Sequence, residues 1–205
     1  MKKAGLLMII GSLLLLGLFK FPLWNIMLGA PQYPDPLGMN IYIKGIEGVS
    51  EFDLKNIDGL NHYIGMKTIP EPDDMWEFSV FPKVIIVMVV LGVLTGIFGT
   101  LGKISYKWFI VWFFLMSAMG IAGMYDFNSW LIAYGSDLDP HAIMKLTNPD
   151  GTPMTYKPPL FGNQKMLNFD VTSLPHTGAY MMFVGMSLTV IAFFVGKKEA
   201  NKSKD

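Results

Sequence analysis

The chain has no cysteine, so its soft or borderline metal donors are three histidines and sixteen methionines. Each histidine has a methionine close by: Met66 follows His62, Met144 follows His141, and Met181 follows His176 within about a helical turn and a half. Imidazole and thioether together suit copper, since Cu(I) accepts methionine and Cu(II) prefers histidine. His62 and Met66 in "LNHYIGMK" form the core of a candidate metal site, with Met39, Asp126, His141 and Met144 as completing ligands. The plainer reading stands beside it, because a His/Met pair at i, i+4 is also what a packed helix seam looks like, and methionine is a flexible core filler. Asp126 in "GMYDF" closes an apolar run, where an ionisable group acts as ligand, proton carrier or lysine partner, or marks the membrane boundary. Asp35, Asp137 and Asp139 read as turn and capping residues.

Other chemistries lack their residues. The sequence has no phosphate-cradling glycine loop, no H-E-x-x-H, no C-x-x-C-H and no G-x-S-x-G. An enzyme or quinone-linked carrier using Asp126 would have no recognisable cofactor ligands, and the apolar segments lack the polar, broken helices of a transporter. The expectation is a protein that binds or assembles and does not catalyse.

What must position these residues is a membrane fold. Hydrophobic residues make up 52% and charged residues 16%, too apolar for an ordinary soluble domain. Four long stretches are uncharged or nearly so, which predicts transmembrane helices at about 4–20, 83–102, 107–126 and 177–196 within one membrane domain, 1–205. Lys2 and Lys3 before a leucine-rich run also fit a secretory signal peptide. No small-x-small cleavage site follows, and "KFPLW" reads as an interfacial anchor, so the expectation is an uncleaved helix.

Lysine placement gives an orientation. One side gathers Lys2, Lys3, Lys103, Lys107, Lys197, Lys198, Lys202 and Lys204 against Glu199 and Asp205, while the other carries eight lysines against fourteen carboxylates. The positive-inside rule makes the first side cytoplasmic, so both termini lie inside and two long loops, about 21–82 and 127–176, face the periplasm of a bacterial inner membrane. The net charge is zero and there is no arginine, so nothing suggests nucleic acid or bidentate phosphate recognition.

In the first loop, Pro31, Pro34, Pro36 and Gly38 break any helix and Met39 to Lys44 alternates like a strand. "SEFDLKNIDGLNHYIGMK" has helical spacing interrupted at Gly59, giving two short helices or turns with His62, Tyr63 and Met66 on the second. "PEPDDMWEF" is an acidic turn. In the second loop, the third membrane helix continues through Tyr134 and stops at Gly135. "DPHAIMKL" then predicts a short helix capped by Asp139, and the turn-rich remainder holds two or three short strands. The fold class is thus a mainly α membrane protein of four helices, whose two extracytoplasmic loops pack into a small mixed α/β cap.

Several stretches, "FPLWNIMLGAPQYPDPLGMNIYI", "NIDGLNHYIGMK", "AGMYDFNSWLIAYGSDLDPHAIMK" and "YKPPLFGNQKMLNF", resemble a family of small integral membrane proteins common in Bacteroidetes. That family is encoded beside the genes that mature the copper enzyme nitrous oxide reductase. The resemblance covers nearly the whole chain and includes no catalytic motif. It implies a periplasmic accessory role, bringing copper to the reductase or helping to assemble it, with a copper enzyme or copper chaperone as partner. It puts weight on Asn61, His62 and Met66, and on Met124 and Asp126, without assigning ligands. The alternative is a metal-free structural subunit or assembly factor that docks a periplasmic or membrane partner through loop aromatics such as Trp24, Tyr63, Trp76 and Trp130.

Overall fold

The computed structural model describes residues 1–144, 147–148, 150–152 and 154–202. Lys145 and Leu146 of the expected short helix, Pro149 and Pro153 of the turn-rich stretch, and Lys204 and Asp205 of the charge balance lie outside them. The protein is mostly helical, with four helices long and apolar enough to cross a membrane and one small sheet.

The first span is α1, Lys2–Leu14, continued by a 3₁₀ turn over Leu15–Phe19; the others are α3, Trp76–Thr100, α4, Lys107–Ser136, and α5, Thr177–Lys202. α1 is the central helix, packed between α3 and α5 with Ala4, Met8, Ser12, Leu15 and Leu18 fully enclosed. Glycines permit that approach: a Cβ on Gly96 would lie 2.8 Å from the carbonyl oxygen of Gly5, and one on Gly185 would lie 2.6 Å from that of Gly11. Lipid offers helices no hydrophobic drive to associate, so close backbone packing of this kind supplies much of the attraction. α3 begins well before Lys83 and carries Pro82 within it, and Gly102, at φ 71°, ends it in the left-handed turn that glycine favours.

Both long connections build one antiparallel sheet of five strands in the order β3-β2-β1-β5-β4. The first supplies β1, Trp24–Gly29, β2, Leu37–Tyr42, and β3, Gly45–Gly48; the second supplies β4, Gly162–Met166, and β5, Phe169–Pro175. The alternating stretch at Met39 falls in β2. β1 was not expected, because "WNIMLG" carries no alternation and follows a proline-aromatic anchor. It is the middle strand, pairing Ile26 with Met39 on one side and with Ser173 on the other. One apolar cluster joins sheet to helices through Ile26, Leu37, Met39, Ile57, Leu131 and Val171.

The stretch before His62 is one helix, α2, Asp53–Ile64, where two were expected. Gly59 does not break it, since that position faces open space and costs only about 0.5–1 kcal/mol of propensity, while Ile57 and Asn61 hold the helix by burial. Asp53 fixes its start: its Oδ2 accepts the N–H groups of Gly38 at 2.9 Å and Ser50 at 3.0 Å. Asp53→Ala leaves the buried Gly38 N–H unpaired and should lower stability by about 1–3 kcal/mol in thermal unfolding, with Asp53→Asn losing less because it keeps one acceptor oxygen.

Candidate functional site

α2 ends at Gly65, whose φ of 81° turns the chain sharply, and the N–H groups of Gly65 and Met66 both donate to the carbonyl of Asn61. Met66 therefore lies beyond the helix and not one turn above His62 on a shared face. Its side chain is buried against Tyr134 and Tyr156, with Met154 and Met166 alongside, whereas His62 is exposed. Met66 is thus a core filler and not one member of a helix seam shared with His62.

The segment after α4 forms a turn over the described residues, where a short capped helix was expected. Asp139 instead makes a local turn, in which its Oδ1 accepts the His141 N–H at 2.8 Å. The neighbouring backbone groups, however, bond elsewhere: Asp139 N–H donates to the Gly65 carbonyl at 2.8 Å and Met144 N–H to the Tyr63 carbonyl at 2.9 Å. The second connection is thereby hydrogen-bonded to the end of α2. An exposed ion pair between Lys67 and Asp137 lies beside the joint, and a Cβ on Gly65 would come within 2.8 Å of Ala142.

This joint brings His62, His141 and Met144 to one rim. All three side chains are exposed, and His141 Nδ1 lies 3.3 Å from Asp139 Oδ1. The His141 backbone N–H holds the Asp139 carboxyl below the usual carboxylate range, with the charges of His141 and His62 acting in the same direction. Asp139 was expected to serve as a turn or capping residue; its place beside His141 and within range of the His62 charge follows from the pairing of Gly65 with Asp139, which no local spacing announces.

Three of the six candidate ligands are elsewhere. Met39 is buried in the cluster between sheet and helices, and Met66 is under the rim. Asp126 is partly buried on α4, two turns before Tyr134, which is roughly 12 Å along the helix axis. Below the joint, Asn61 Nδ2 donates to the Tyr134 hydroxyl, and Trp130 stacks on Tyr134 at 4.7 Å between centroids. His176, the third histidine, opens α5; its N–H donates to the Leu23 carbonyl, and its buried Nδ1 has no hydrogen-bond partner among the described residues.

Among the described residues, no group of three or more His, Asp or Glu side chains is gathered closely enough to hold a metal ion. That statement concerns imidazole and carboxylate donors; Met144 is a thioether. The exposed turns carry two imidazoles, one carboxylate and one thioether, donor types that suit copper, but His62, His141 and Asp139 do not converge as a metal-holding group. No family model, curated protein or solved structure matches the chain.

Proposed function

We propose that this chain is an accessory protein of a bacterial cytoplasmic membrane that binds copper transiently at the rim formed by His62, His141 and Met144, with Asp139 beside His141. The observation that carries the reading is the backbone pairing of Asp139 with Gly65 and of Met144 with Tyr63, which brings donors from two separate connections to one exposed edge. The lysine asymmetry of the sequence favours placing that edge in the periplasm with both termini inside. The resemblance noted above makes delivery of copper to nitrous oxide reductase, or assembly of that enzyme, the expected task. Neutral imidazole and thioether ligands on exposed turns suit an ion that must be released to a partner, and the role is one of binding and not of catalysis.

The purified full chain, loaded with Cu(I) and desalted, should retain copper with nitrogen neighbours in X-ray absorption. His62→Ala with His141→Ala should weaken retention of that nitrogen-bound copper roughly tenfold or more, about 1.4 kcal/mol. Native protein that holds no more nitrogen-bound copper than the double variant would falsify the reading.

A second reading, docking without metal, is supported by the same rim, where Tyr63 is 55% and Ile143 66% exposed. Large apolar side chains on an exposed edge are what a partner surface uses as anchors. Under this reading Tyr63→Ser with Ile143→Ser abolishes partner capture while the histidine variant leaves it intact.

A further inference from the structure

The stretch "KPPLF", residues 157–161, lies between α4 and β4 and belongs to neither. Two contacts fix its height. Lys157 Nζ donates to Asn128 Oδ1 on α4 at 3.0 Å, and the Phe161 ring meets the Trp24 ring edge-on at 6.5 Å between centroids. Trp24 in turn meets Phe127, the residue before Asn128, at 5.9 Å. The segment is therefore held against α4 at the level of Phe127 and Asn128.

That level is where a hydrocarbon core ends. From Trp108, just past Lys107, α4 reaches Phe127 in about twenty residues, or roughly 30 Å, the thickness of such a core. α5 leads to the same plane independently. Counting back about twenty residues from Lys197 reaches Thr177, its first residue, and Pro175, the strand residue paired with Trp24, lies just before it.

The residues at this plane suit a medium poor in water. Irregular backbone beside hydrocarbon must leave few N–H groups unpaired, and Pro158 and Pro159 have none to leave. The carbonyl of Leu160 accepts the Ser173 hydroxyl at 3.2 Å. Phe161 is then 67% exposed, and Leu174, which follows Ser173, is 41% exposed. β4 is an edge strand, so Phe161 at its start lies on the periphery of the sheet. A lone exposed phenylalanine would need no explanation. This one shares its level with Tyr125 of α4 and Tyr180 of α5, both more than half exposed, as aromatic side chains are at a membrane interface.

We propose that residues 158–161 form an interfacial anchor that seats the second connection in the lipid of one leaflet, with Phe161 and Leu174 against the acyl chains. The inference rests on the four helices as membrane spans and not on copper binding, and it holds whichever face is periplasmic.

A chain without cysteine can be labelled at single positions. The full chain carrying a nitroxide on Phe161→Cys is placed in vesicles of phosphatidylethanolamine and phosphatidylglycerol, and access of oxygen and of a water-soluble nickel complex to the label is measured. Phe52→Cys, 61% exposed at the start of α2, marks water, and Phe183→Cys, 63% exposed on α5, marks hydrocarbon. The Phe161 label should lie nearer the Phe183 label, losing most of the nickel broadening that the Phe52 label shows. A Phe161 label as open to nickel as that at Phe52, with Phe183 still shielded, overturns the anchor and leaves the spans intact; if Phe183 is equally open, both fall. The unsubstituted chain supplies a second measurement. A diazirine on the lipid acyl chains should crosslink to the peptide that contains residues 158–161, and crosslinks confined to the four spanning helices overturn the proposal.

Discussion

Gly96→Leu should prevent α1 and α3 from packing and leave little folded protein after extraction in detergent. A Cβ at this position would lie 2.5 Å from Ile9 Cγ1, 2.8 Å from the Gly5 carbonyl oxygen and 3.1 Å from the Ile9 backbone nitrogen, so the clash is with main chain that cannot rotate away. Overpacking a filled interior costs about 1–3 kcal/mol when side chains can adjust; where two helix backbones must part, the loss should exceed that range. Gly120→Leu is the matched control, because the same change on α4 meets nothing within 4 Å. It should move thermal unfolding by no more than about 0.5 kcal/mol equivalent. Equal losses in the two variants would show that the glycines matter for helix flexibility and not for packing.

Gly135→Ala should detach the second connection while leaving the helical bundle intact. Gly135 lies in the last turn of α4, where its carbonyl accepts the Tyr156 N–H at 2.7 Å and its missing side chain makes room for the Lys157 backbone. An added methyl group would lie 2.6 Å from the Tyr156 carbonyl carbon. The loss is expected to be about 2–3 kcal/mol, and it should appear as faster proteolytic cleavage between residues 137 and 160 with unchanged helical circular dichroism. Gly123→Ala, whose added methyl meets open space, should cut no faster than the native chain. Because Tyr156 also covers Met66, Gly135→Ala should expose Met66 to oxidation, which native protein would resist.

The membrane helices could be read because the signal is local: a run without charge is sufficient, and each of the four runs holds a helix. β2 could be read for a similar reason, from the alternation after Gly38. β1 and β5 could not be read as partners, since Trp24 meets Pro175 across the whole intervening chain and neither strand carries a pattern naming the other. The error at Met66 was of a different kind. His62 and Met66 have helical spacing, but Gly65 between them adopts the left-handed conformation that stops a helix, and a glycine after a periodic stretch is a recognised stop signal. His141 and Met144 reach the rim for a reason invisible in spacing: backbone hydrogen bonds to the end of α2 replace those of the expected helix.

The middle position of β1 also sets an order of assembly. During synthesis β1 and β2 are available early, but the other edge of β1 must wait for β5, which emerges only after three membrane helices have been made and just before the last one. Until then that edge presents unpaired N–H and C=O groups, the template on which extended segments add. Closure depends on contacts of long sequence separation, such as the hydrogen bond from Trp24 to Ser173, and such contacts form slowly. A nascent chain of this protein is therefore open on one side of its sheet for most of its translation. Pairing of β5 closes that edge of β1, and α5, which follows it directly, completes the helical bundle around α1.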